Sequence, residues 1–228
     1  MLVVLVALYF AVTISIGLYA SRRVSTSADY LIAGRSLPLY MSVATVFATW
    51  FGAETVLAVS STFLKQGLGG VVGDPFGAAS CLILVALFFA RPYYRLRLVT
   101  IGDFYRKRYN KTVEIGTGVA ITLSYLGWTS AQVVALGIVI NTVTAGAVPL
   151  GVGMVVGAVI VMGYTMSGGM WSIALTDIFQ TVVIVLGLLY LAWLLGDMAG
   201  GFSAVIEKAS AEDKFKFWPS ASLRDWLA

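Results

Sequence analysis

Apolar residues in this chain gather into six long runs, 1–20, 39–62, 75–95, 115–143, 149–166 and 174–196, rather than into the one-sided periodicity of a soluble fold. A membrane-spanning helix needs about 20 mostly apolar residues, and each run meets or approaches that length. None alternates apolar with polar positions as a barrel strand does, so all six are expected to be helices. The second run is interrupted by Gly52, Glu54 and several Ser and Thr, and the fourth is punctuated by glycine. Pro149 opens the fifth as a first-turn proline. The expected fold class is an all-α membrane protein with six transmembrane helices over 1–196, followed by an extracytoplasmic loop or tail, 197–228.

Composition supports this and narrows the chemistry. Of 228 residues, 59% are hydrophobic and 11% charged, with a mean hydropathy of +0.91. An ordinary soluble domain carries about 25% charge. The chain has no histidine, which excludes histidine triads, relays and metal sites. Its one cysteine, Cys81, lies in an apolar run and is expected to be inert, and it excludes an internal disulfide. Without histidine no nucleophile–base pair assembles, so an enzyme is not expected.

The net charge of +4 is unevenly placed. Loops 21–38 and 91–113 hold ten of the fifteen Lys and Arg, whereas loop 63–73 has only Lys65 and loop 144–148 has none. Basic loops stay on the cytoplasmic side. Six crossings with both termini outside put both basic loops inside, in a multi-pass protein of the plasma (bacterial inner) membrane. The first run is not a cleavable signal, since Arg22 and Arg23 follow it and no basic residue precedes it. The expected partner of the basic loops is the lipid bilayer with its anionic headgroups, and nucleic acid is not expected.

Several polar residues inside the runs are candidates for chemistry. Glu54 lies midway along the second run, where a carboxylate is costly; it either marks an ion path or fixes helix packing. Gly52 and neighbouring threonines predict a break there, which frees carbonyls able to coordinate Na⁺. Asp74, between Gly73 and Pro75, is either an N-cap opening the third helix or an acidic group facing a cavity for a cationic solute. Asp177 either favours the start of the sixth helix through the dipole or lines an inner cation path. Gln132 and Asn141 read as interhelical hydrogen-bond partners, and Gly153-x-x-x-Gly157 as a packing face. Trp50, Trp128, Trp171 and Trp193 are interface anchors or core residues.

Three segments then carry a resemblance. They are Ser27-Ala28-Asp29-Tyr30-Leu31-Ile32-Ala33-Gly34-Arg35-Ser36-Leu37-Pro38, Thr100-Ile101-Gly102-Asp103-Phe104 followed by Arg106-Lys107-Arg108-Tyr109, and Gly168-Gly169-Met170 with Thr176-Asp177 and Gln180. In this order, over about residues 5–196, they resemble the sodium/solute symporter family of proline, pantothenate and glucose carriers. The resemblance implies a leading helix plus the first half of a five-plus-five inverted-repeat fold, with a C-terminal repeat as the missing partner. It implies sodium-coupled symport of a small organic solute, an amino acid, with Na⁺ as the transported ion and no organic cofactor. It assigns backbone carbonyls of Ala48 and Phe51 to half a Na⁺ site, Thr55 and Asp74 to the solute, and Asp177 to the inward release of sodium. Trp50 stands where the proline carriers have an acidic residue, and Gly52 where a serine is common in the family. The alternative from the same resemblance is a solute-sensing input module of a sensor histidine kinase.

Overall fold

The computed structural model describes residues 1–217, and no strand occurs among them. In chain order the helices are α1 (Leu2–Ser21), α2 (Ser27–Ile32), α3 (Leu39–Trp50), α4 (Ser60–Gln66), α5 (Leu68–Arg95), α6 (Ile101–Arg108), α7 (Lys111–Val143), α8 (Leu150–Met198) and α9 (Phe202–Ala211). Among the described residues α1, α5, α7 and α8 are long and apolar enough to cross a membrane. The segments Ser27–Arg35 and Leu39–Trp50 form a further candidate span, bent by 107°. The protein is therefore an all-α, multi-pass integral membrane protein.

Burial is inverted relative to a soluble domain. Large apolar side chains such as Leu8, Leu87 and Leu186 face outward, while the most completely buried residues are small or polar, Ala20, Ala33, Ala174, Ser172 and Thr176, with Met41 and Val71 as the larger apolar exceptions. Lipid is as apolar as leucine, so helices gain by close backbone approach rather than by hiding leucines.

The chain divides into two compact units, residues 1–49 with 93–182, and residues 50–92 with those from 183 on. In the first, α1 meets α8 through Gly17, where an added Cβ would stand 2.7 Å from Tyr164 Cβ and 2.8 Å from Ser172 Oγ. The predicted Gly153/Gly157 face packs as expected: Gly153 lies against Gly137, and Gly157 against Leu136. Asn141 Nδ2 donates to Val148 O at 2.7 Å, holding the turn between α7 and α8 rather than bridging two helix bodies. In the second unit, Leu68 N donates to Lys214 O at 2.7 Å and Lys214 Nζ donates to Leu64 O at 2.7 Å, so the segment after α9 ties back onto the end of α4.

Four sequence expectations need revision. The third helix starts at Leu68, not at Pro75, so Asp74 sits at a kink inside the run rather than at its opening. The residue before proline avoids helical backbone, and Asp74 is extended (φ −137°, ψ 121°). The expected loop between the fifth and sixth runs is absent: α8 is one run interrupted at Gly169 alone (φ 50°, ψ −139°). As a straight rod its 49 residues would reach about 74 Å, more than twice the roughly 30 Å hydrocarbon core. Asp177 consequently lies two turns past the break, inside the helix, and is not an N-terminal residue. The tail expected as a loop contains α9; its residues 218–228 lie outside the described part.

Candidate solute and ion site

α3 ends at Trp50, and the helix resumes with a wide turn over Glu54–Val59 that runs into α4. The interruption falls at Phe51–Gly52, where the sequence predicts a break. Gly52 N–H donates to Trp50 O at 3.1 Å, and the Thr55 hydroxyl, with one proton to share between this carbonyl and Asp74, lies 3.2 Å from the same oxygen. Ala48 belongs to the last turn of α3, and Phe51 is the first residue beyond its end. Glu54 opens the wide turn and is exposed.

The two residues assigned to the solute come together. Thr55 Oγ1 donates to Asp74 Oδ2 at 3.1 Å, across 19 residues of sequence. Both are half-buried. The Asp74 carboxylate is thus engaged by Thr55, from a segment 19 residues away. A carboxylate has room for about four hydrogen bonds. The pair can therefore present negative charge and acceptor capacity to a cationic group.

Asp177 is set in different surroundings, within the first unit. It is 8% exposed, with Thr45 beside it, and its Oδ2 has no hydrogen-bond partner. Ser172 Oγ, fully buried, is also unpaired, while the Thr176 hydroxyl donates to Ser172 O at 3.0 Å and Ile173 O at 2.9 Å. Tyr164 hydrogen-bonds the Gln180 side chain, and Tyr9 stacks on Phe179 at 5.6 Å. Sequence reasoning did not assign Tyr9, Tyr164 or Ser172. Their spacing carries no signal, because Tyr9 reaches α8 from another helix.

Two capping boxes also escaped the sequence reading, although Thr-x-x-Asp at 26–29 and 100–103 is their signature. Thr26 and Ser25 hydroxyls donate to Asp29 Oδ2 at 2.8 and 3.0 Å, joined by the Thr26 N–H at 2.9 Å. Asp103 Oδ2 accepts the N–H groups of Thr100 and Val99 at 2.8 and 3.0 Å, which lower its pKa.

Comparison with known proteins decides the family. The model described as "SSF: Sodium:solute symporter family" matches residues 30–220. The chain belongs to the sodium:solute symporter family. It is 29% identical over 196 residues to high-affinity choline transporter 1 of Torpedo marmorata, covering 82% of this chain and 33% of that protein. It is 27% identical over 200 residues to the sodium/glucose cotransporter of Vibrio parahaemolyticus, covering 86% and 36%. It is 25% identical over 206 residues to sodium/glucose cotransporter 1 of Oryctolagus cuniculus, covering 89% and 31%. The chain thus spans about a third of the length of these relatives, which are transporters and not enzymes.

The segments that carry the symporter resemblance meet in the folded chain. The Tyr30 carbonyl lies against Gly169, at the spot a Cβ would occupy. Arg35 Nη2 donates to Leu98 O at 3.3 Å, and its guanidinium sits 5.2 Å from the Tyr94 ring, just before the capping box at Thr100. The first motif thus touches both the α8 break, through Tyr30, and the segment leading into the second motif, through Arg35.

Proposed function

We propose that this chain is the leading helix and first repeat of a sodium-coupled symporter for a small organic solute bearing a positively charged nitrogen, an amino acid in the first instance. The observation that carries the reading is the Thr55–Asp74 pair, a half-buried carboxylate held by a single neutral hydroxyl at 3.1 Å. An ammonium group adds a charge-assisted hydrogen bond to such a carboxylate, and a sugar hydroxyl adds only a neutral one. Relatives named as choline transporters favour the cationic class, since choline's quaternary nitrogen, which has no N–H to donate, is drawn to a carboxylate by charge alone. Na⁺ binds carbonyls of Ala48 and Phe51 at the break, with further ligands from a second repeat. Glu54 and Asp177 serve the ion's path. In this reading the chain crosses the membrane six times, α3 with the segment to Gln66 forming one crossing and α8 two. The N-terminus is outside, the protein sits in the plasma membrane, and the basic loops are cytoplasmic.

The test is uptake into proteoliposomes of the full-length protein, with labelled proline, choline and glucose, under an inward Na⁺ gradient and without one. Na⁺-dependent accumulation of a cationic-nitrogen solute, uncompeted by glucose, is expected. Uptake that ignores the Na⁺ gradient would reject the coupling, and glucose as the sole solute would reject the role of Asp74.

A further inference from the structure

In the first unit a groove of about 510 Å³ runs between α1 and α8, lined by Ser15, Ile16, Tyr19, Arg23, Leu175, Ile178 and Phe179. Its volume is in the range of ligand sites. The lining has a direction. On α1, Ser15 and Tyr19 stand one four-residue step apart on one face, and Arg23 follows in the turn just beyond the helix end at Ser21. On α8, Leu175, Ile178 and Phe179 form the facing stripe, with Trp171 one turn further towards the break. Arg23 lies 5.1 Å from the Trp171 ring, so the groove's single charged residue stands at the end where α1 leaves the membrane. Phe179 stacks on Tyr9 of α1, with ring centroids 5.6 Å apart.

We propose that this groove holds one anionic glycerophospholipid, its acyl chain against Ile16, Leu175 and Ile178 and its phosphate at Arg23. Both walls belong to membrane-length helices, so the groove lies at membrane depth, where an acyl chain is a fitting occupant. Tryptophan beside arginine at a span's end is the arrangement of the headgroup level. Basic pockets between transmembrane helices take anionic headgroups, and the neighbouring Arg22 is exposed and adds to the same field.

The experiment is native mass spectrometry of the full-length protein in mild detergent, titrated with dioleoylphosphatidylglycerol or dioleoylphosphatidylcholine. Wild type should prefer the anionic lipid, and Arg23→Gln should cut that preference about fivefold, the effect of one arginine near the surface. Arg23→Lys keeps the charge and should keep the preference. Ser15→Trp fills the groove and should weaken both lipids. Inorganic phosphate at millimolar concentration should not displace the bound lipid. A photoreactive residue at Ile178 should crosslink to lipid in native membranes. Unchanged preference in Arg23→Gln, displacement by free phosphate, or crosslinking of Ile178 to a second copy or another part of the polypeptide would each overturn the assignment.

Discussion

Threonine–aspartate pairs occur in two kinds of place in this protein. Thr26 with Asp29 and Thr100 with Asp103 are separated by three residues, lie in exposed turns, and are each backed by backbone N–H groups. Thr55 with Asp74 is separated by 19 residues, joins two interrupted helices, and rests on one bond of 3.1 Å. The first kind closes within a turn and needs nothing from the rest of the fold. The second exists only if both interruptions form and face each other. A locally closed pair serves shape, whereas a pair that leaves acceptor capacity open at a break serves binding.

The strongest way to break that contrast is at a still longer separation. Gly169 meets the Tyr30 carbonyl and holds a left-handed φ of 50°, so Gly169→Val adds backbone strain and a clash together. A loss on the order of 2–5 kcal/mol is expected. Thermal unfolding and the yield of monodisperse protein measure it, with Gly163→Val, where a Cβ meets nothing within 4 Å, as the near-silent control. Equal behaviour of the two variants would deny the Tyr30 contact any structural role.

Asp74→Asn comes next. Asn still accepts from Thr55 but loses the charge. A charged hydrogen bond is worth about 1.5–3 kcal/mol against about 1 for a neutral one, so the half-saturation for a cationic solute should rise roughly 5–30-fold. An unchanged value would return Asp74 to a structural role. Thr55→Val removes only the neutral partner, and a roughly 2–10-fold rise is expected from the same uptake titration. An effect larger than that of Asp74→Asn would invert the assignment and make Thr55 the principal solute contact.

The smallest effect belongs to the local pairs. Asp103 titrates below its ordinary value when folded, so its capping contribution is complete above the unfolded value of about 3.9 and is lost as pH falls through the lowered folded value. Between pH 7 and about 5 the amides of α6 should keep constant protection in hydrogen exchange, corrected for intrinsic rates, and should lose it only below about pH 4. Asp103→Ala should remove that acid step while leaving uptake unchanged. Loss of protection near neutral pH would show that another group holds the turn.

Much of this was readable along the chain because lipid makes composition informative. The apolar runs mark α1, α5, α7 and both sides of the α8 break, and Gly52 among threonines marks the interruption after α3. The small-residue spacing of Gly153 and Gly157 correctly predicts close packing, since i,i+4 positions share one helix face. The gap between the fifth and sixth runs contains the Gly169 break, but the sequence does not show that the helix resumes at once beyond it. Asp177 therefore lies inside a helix rather than at its start. The surroundings of Asp177 were illegible for another reason, as Tyr9 and Thr45 reach it from other helices far away in sequence.

The close seat of Gly17 against the second half of the unit has a consequence for biosynthesis. The backbone of Gly168, on which Gly17 rests, leaves the ribosome about 150 residues later, a delay of roughly 8–30 s at about 5–20 residues per second. For that interval α1 sits in the bilayer without the partner it will embrace. Its outward leucines and valines suit such a wait, being already at home in acyl chains on every side. The glycine, with no side chain to reorient, lets the late-arriving helix dock without first prising a neighbour loose.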